Sequence, residues 1–323
     1  MSAAFLTTIL FSISGVCAQR TSRALGGVEA NFWRLLLATI LLALWACTAG
    51  QGTAGQAFPM FFFSGALGFG LGDVALYQAL PRLGSRLSIL LVHCLAAPFA
   101  AATEWLWLGT GMSGTQVLAA TLILSGVALA LAPGRHLQIS RRTFWIGVTF
   151  GIVAAVGQGM GAVLSRRAYQ IATQAGEHVD GLTSAFQRIL AGLLVAAGFW
   201  AMMKLSKQRE KGKMETTAQS LNSQPSTLNS SPIWPWVVAN ALSGPALGVG
   251  CYQWALSQHG TGVVLPIVAL TPLVIIPFSR YVEGERPRKR SLVGGVIAVC
   301  GVFILAGGIE TVKKLVEHSV GFH

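Results

Sequence analysis

Apolar residues run along this chain in stretches of about twenty, broken by short polar joints. Ten such runs can be read, near 3–18, 31–48, 58–80, 86–108, 114–133, 144–164, 183–204, 234–256, 261–282 and 291–309. A run of roughly 20 apolar residues matches a helix crossing the ~30 Å hydrocarbon core of a bilayer. Backbone groups inside hydrocarbon must be satisfied within the protein, so each run is expected to be a helix. The pattern predicts an all-α integral membrane protein of ten transmembrane helices, with little chain left for a soluble domain.

The pattern also reads twice. Arg34 and Arg188 stand early in corresponding helices, 154 residues apart. Gly68-x-x-x-Gly72 returns as Gly244-x-x-x-Gly248, and Ser125-Gly126-Val127 returns as Cys300-Gly301-Val302, at offsets of 175 to 176 residues. The difference is close to the length of a polar insert, 205–232. Residues 1–134 are thus expected to form one five-helix unit and 143–309 a second. The insert is low in complexity and is expected to be a disordered cytoplasmic loop. A short amphipathic turn is expected in the tail 310–323.

Composition agrees. Of 323 residues, 53% are hydrophobic and 11% charged, against about 25% charged in soluble domains. The opening segment has no basic n-region and no clear cleavage site, so it reads as a retained helix. The five cysteines are scattered through or beside apolar runs without a CxxC pair, and read as packed thiols, with no metal site. The net charge of +12 is placed in joints between runs, which excludes a nucleic-acid reading in favour of a topology signal. With ten alternating spans, joints 1–2, 3–4, 5–6, 7–8 and 9–10 carry seventeen of the 23 Lys and Arg. The positive-inside rule puts them in the cytoplasm and both termini outside. Five helices per unit is an odd number, so the second unit enters the membrane upside down, and its basic joints are displaced to match. An inverted-topology repeat has this form.

The candidate chemistry lies in polar groups within the spans. An ionisable side chain at a helix centre costs about 2.5–3.5 kcal/mol on insertion scales and normally faces protein or water. Arg34, Asp73, His93, Glu104 and Arg188 are of this kind. Tyr77 shares a helix face with Asp73, four residues on. His93, Ala97, Ala100 and Glu104 form a stripe with small residues between polar ones. Depth along the helices suggests an inner cluster of Arg34, Asp73 and His93 and an outer one of Glu104 and Arg188. Alternatively, either arginine snorkels to its nearer interface, and Asp73 forms a structural ion pair. Gln158, Asn240, Tyr252 and Gln253, with Gln187, are neutral groups able to hydrogen-bond a substrate. Gly68, Gly72, Gly157, Gly161, Gly244 and Gly248 read as close-packing positions, or as seams between helices that rock. Pro98 and Pro272 read as hinge or cavity positions, or as sources of simple curvature. Gly157-x-Gly159-x-Gly161 mimics part of a nucleotide loop, but no strand precedes it.

These residues resemble the EamA-type members of the drug/metabolite transporter superfamily along the whole chain. The family repeat has an arginine early in its second helix, as at Arg34 and Arg188, and a glycine-rich third helix, as at Gly65 to Gly72 and Gly244 to Gly250. It has a fourth-helix proline followed about twelve residues later by Gly-Glu. Pro272 with Gly284-Glu285 fits this, whereas Pro98 is followed by Gly109-Thr110. A Gly-Val helix closes each repeat. The resemblance implies a central cavity and alternating access for a small metabolite, such as an amino acid or drug, often in export. No Walker-type sequence supplies an ATP motor, and no HExxH, GxSxG or aspartate pair suggests an enzyme. No cofactor is expected. The expected partners are a small-molecule substrate and the lipid bilayer, with protons as a candidate coupling ion at Asp73, Glu104 or His93. Oligomeric state stays open. A lipid-handling or purely structural membrane protein is the alternative.

Overall fold

A computed structural model describes residues 2–108, 114–131, 140–215, 232–258, 264, 267–284 and 289–305. Every regular element among them is helical. The rods are α1 (Ser2–Leu25), α2 (Gly27–Thr48), α3 (Phe58–Leu83), α4 (Ser85–Leu108), α5 (Gly114–Leu131), α6 (Arg141–Gln174) and α7 (Gly181–Glu215). Then come α8 (Trp234–Ala241 continuing to Leu247–Gln258), α9 (Thr271–Glu283) and α10 (Lys289–Leu305). Six rods, α1 to α4, α6 and α7, are long and apolar enough to cross a bilayer.

Two rods are not plain α-helices. α3 loosens into a π segment over Ala66–Gly72, and α8 does so over Leu242–Ala246. These segments begin 176 residues apart. Glycines make both winding and close approach cheap here. π segments of this kind often accompany functional sites.

Joints are tight where glycine permits. Gly26, between α1 and α2, and Gly84, between α3 and α4, hold φ of 83° and 84°, a region that side chains rarely adopt. A single residue therefore reverses the chain at each place.

Small residues set the packing. A Cβ on Gly157 of α6 would lie 2.7 Å from the Leu67 carbonyl oxygen and 2.9 Å from Gly72 Cα. One on Gly161 would lie 3.3 Å from Gly68 Cα. The four glycines thus form one seam between α3 and α6. A second seam joins α5 to α10: a Cβ on Gly126 would lie 2.5 Å from Ala298 N, and one on Gly294 would lie 2.5 Å from Ala130 N. Gly244 and Gly248 face α1 instead, against Ser14 and Phe11.

Two expectations need revision. α7 does not stop at the start of the polar insert but stays helical to Glu215; Lys and Glu are good helix formers and tolerate water. Residues 216–231 lie outside the described residues, as do the tail 310–323, Gly109, Thr110 and Glu285. Pro272 is not a mid-helix hinge: it occupies the first turn of α9, where its missing N–H leaves no hydrogen bond unmade. Pro98 does lie inside α4.

Candidate functional site

A cavity of about 120 Å³ lies between α1, α2, α3, α4, α6, α7, α8 and the Val268–Ala269 stretch, with Phe69 of one π segment and Gly244 and Pro245 of the other in its wall. Most of its wall is apolar, with Phe11, Ile89, Ala96, Ala97, Ala100 and Ala162 among the lining residues. Into this wall are set Arg34, Asp73, Tyr77, His93, Gln158, Arg188 and Tyr252. Hydropathy singles out these groups one by one, and the fold brings them to one chamber.

Arg34 is 5% exposed and Asp73 3%, so neither reaches an interface. Snorkelling is therefore overturned for Arg34. Its guanidinium forms an ion pair with Asp73 through Nη2, which also donates to Asn31 Oδ1 at 3.0 Å. The same guanidinium lies over the Tyr77 ring, 4.8 Å from its centre. Gln158 donates to the other Asp73 oxygen at 3.2 Å and lies 3.4 Å from the Gly68 carbonyl. The Asp73 carboxylate is thus held by groups from α2 and α6. Such multiple pairing lets a carboxylate remain in an apolar bundle.

Arg188 is 4% exposed, and snorkelling is overturned for it too. It lines the same chamber as Arg34 and Asp73. It does not stand in a separate outer cluster. Its guanidinium packs over the Phe69 ring at 5.2 Å. Glu104 sits on α4, but its side chain lies outside the described residues. His93 makes no hydrogen bond to the ion pair; its ring lies 5.7 Å from the Phe11 ring.

Both arginines are seated against glycine. A Cβ on Gly68 would lie 3.2 Å from Arg188 Nη2, and one on Gly244 would lie 3.4 Å from Arg34 Nη1. The GxxxG positions therefore make room for guanidinium groups as well as for helices.

Two buried hydrogen-bond chains flank the chamber. Asn240 donates to the Tyr77 hydroxyl at 2.6 Å and accepts from Ser14 at 2.8 Å. On the other side Gln253 donates to Ser165 at 3.1 Å, and Ser165 pairs with Ser64 at 3.2 Å. Tyr77 and Gln253 are 176 residues apart, as are Ser64 and Asn240. The doubled sequence thus carries a doubled polar network. Tyr252 lines the chamber, with its ring 6.3 Å from Phe11. Gln187 points away, donating to the Gly52 and Ala54 carbonyls at 3.0 and 3.3 Å.

Ser14, Ser64 and Ser165 were not singled out by the sequence. Serine is unremarkable in an apolar helix, and only its pairing across helices marks it. The 176-residue offset of their partners was the available signal.

At one end of the bundle a clasp joins the α2–α3 and α6–α7 connections. The Gln56 amide donates to both Glu177 oxygens at 2.9 and 3.1 Å, and Gln51 donates to the His178 carbonyl at 3.1 Å. Trp45 donates to Asp180 at 3.1 Å. Among the described residues no group of three or more His, Cys, Asp and Glu is placed to hold a metal.

The EamA-like transporter family matches residues 1–132 and 145–307. One solved crystal structure is similar over 94% of this chain and 95% of its own, with a TM-score of 0.58 at 15% identity; this bears on the fold alone. No curated protein matches.

Proposed function

The chain belongs to the EamA-like transporter family, a multi-pass membrane transporter of the drug/metabolite type, and from that premise we propose a secondary transporter that moves a small metabolite by alternating access. The observation that carries this reading is the chamber itself. A 120 Å³ cavity lined by two buried arginines and an aspartate is costly to keep in an apolar bundle. The charges within the spans count against a lipid-handling or purely structural protein.

In this reading ten transmembrane helices form two inverted five-helix repeats, 1–134 and 143–309. The placement of the joints supports it. Arg20, ending α1, lies 4.4 Å over the Trp236 ring at the start of α8, and Lys204 of α7 approaches Glu29 of α2 at 3.7 Å. Arg86, opening α4, donates to Ser291 of α10 at 2.7 Å. Joints 1–2 and 7–8 thus meet at one end, and joints 3–4 and 9–10 meet each other. The basic end faces the cytoplasm and both termini face outside. The α3–α6 glycine seam lets the helices around the chamber slide, and the clasp closes the outer end. Asp73, the acid among the described lining residues, is the proton carrier if coupling occurs. No chemistry is done on the substrate, and the direction is outward.

The test is flux in proteoliposomes across a panel of amino acids, other metabolites and drugs, with and without a pH gradient. Substrate flux that is lost in Asp73→Asn is expected. Absence of flux for the whole panel from folded protein would remove the transport reading.

A further inference from the structure

The chamber is unbalanced in charge. Among its described lining residues, two guanidinium groups face one carboxylate. That carboxylate is already committed to Arg34 and Gln158. Arg188 has no ion pair or hydrogen bond to any described residue, and its Nε is buried without a partner. A buried cation left unpaired is among the most expensive groups a fold can carry.

The doubled sequence shows where a partner would stand. Asp73, which neutralises Arg34, corresponds at the 176-residue offset to Val249. Val249 lines the same chamber. Asn31, the second partner of Arg34, corresponds at the 154-residue offset of the two arginines to Ala185. Both internal acceptors present in the first half are therefore replaced by apolar residues in the second. Gly68 meanwhile keeps the space beside Arg188 Nη2 open.

We propose that Arg188 is the binding site for the carboxylate of the substrate, which stands where the first half has Asp73, so that the transported molecule is a small organic acid with an apolar body. This rests on the transport reading and names its substrate class. The guanidinium presents a planar fork that fits a carboxylate in two hydrogen bonds. Phe69 covers one face of that fork. Tyr252 and Val249 stand on the α8 wall and the Ala96–Ala97–Ala100 stripe on the α4 wall, offering apolar contact for the rest of the molecule. A cationic amine gains nothing here, because the one carboxylate among the described lining residues already faces Arg34.

The experiment is calorimetric titration at pH 7 of the full chain in lipid nanodiscs. The probes are isovalerate and benzoate, with isovaleramide, benzamide and isopentylamine as matched neutral and cationic forms. Each acid is expected to bind roughly ten- to hundred-fold more tightly than its amide, the range of a charge-assisted hydrogen bond. Arg188→Gln is expected to erase that ratio. Because this variant can also misfold, Val249→Asp is the second: it supplies the missing partner, so the protein stays folded and loses acid binding. Equal affinity for acid and amide in the native chain overturns the proposal. So does an acid preference that survives in folded Arg188→Gln or Val249→Asp protein. Flux of labelled isovalerate in proteoliposomes separates the two readings. Binding without flux would spare the anion site and count against transport. Flux of a neutral or cationic metabolite, unaffected by Arg188→Gln, would spare transport and overturn the anion site.

Discussion

Arg34 and Asp73 hold each other in a place where both are almost wholly buried. Taking away one partner leaves the other charge buried, which costs about 3–5 kcal/mol, whereas removing both costs far less. Asp73→Asn is therefore expected to lower the thermal midpoint of the purified protein strongly, and Arg34→Gln likewise. The double variant Arg34→Gln/Asp73→Asn is expected to recover much of the loss. Additive losses in a double-mutant cycle would contradict the pairing. This pair was legible in the sequence because charge within an apolar run stands out residue by residue. The Ser14–Asn240–Tyr77 chain was not, because its meaning lies wholly in contacts between α1, α8 and α3. Arg188 was legible as an in-span charge, but depth along its own helix wrongly separated it from Asp73. Depth says nothing of which way neighbouring helices lean, and the close approach of α7 to α3 at Gly65, where a Cβ would lie 1.8 Å from the Arg188 carbonyl oxygen, brings the two into one chamber.

At the scale of elements, the rods were legible from hydropathy, since each follows an apolar run of the sequence. Their ends were less so. Polarity marks where a helix leaves the membrane, not where it stops being a helix, and α7 continues to Glu215 for that reason. The close pairing of α5 with α10 was carried by the Gly-Val positions. Gly126→Leu is expected to push these helices apart and cost about 1–3 kcal/mol of stability, as overpacking commonly does; an unchanged unfolding midpoint would refute the close approach at Ala298. The start of α7 is capped by Asp180, whose carboxylate accepts the Leu182 and Thr183 amides at 2.9 and 3.0 Å. Burial alone would raise this carboxyl, but the hydrogen bonds from Thr183, Trp45 and Leu182 outweigh it and hold it below the usual range. A group lowered in the folded state contributes stability that is present above its unfolded pKa and is lost as pH falls through its folded value. The loss should therefore begin below about pH 4, where a free aspartate takes up its proton. Asp180→Asn keeps an acceptor but cannot titrate. Its unfolding midpoint is expected to fall less steeply with acid than that of the native chain, and parallel profiles would exclude this role.

At the scale of the whole molecule, the two ends differ in chemistry. One carries the Arg20–Trp236 and Lys204–Glu29 contacts and the Arg86–Ser291 bond. The other carries the acidic clasp, in which Glu177 and Asp180 of the α6–α7 connection hold Gln56 and Trp45. The positive-inside rule would orient such a bundle one way only, with its basic end towards the cytoplasm. In a cysteine-free background, Gln51→Cys at the clasp is therefore expected to react with a membrane-impermeant maleimide on intact cells. Asn222→Cys, in the polar stretch between α7 and α8, is expected to react only after the membrane is opened. Labelling of Asn222→Cys from outside would invert the orientation and, with it, the assignment of the clasp as the outer gate. Labelling of both sites from the same side would break the alternation on which the inverted repeat depends. Loosening the clasp by Glu177→Ala bears on the same geometry, because its carboxylate is what ties the two connections together. That variant is expected to raise the reactivity of a cysteine placed at Ala97, within the chamber, towards the external reagent. A clasp that plays no part in closing the outer end would leave that reactivity unchanged.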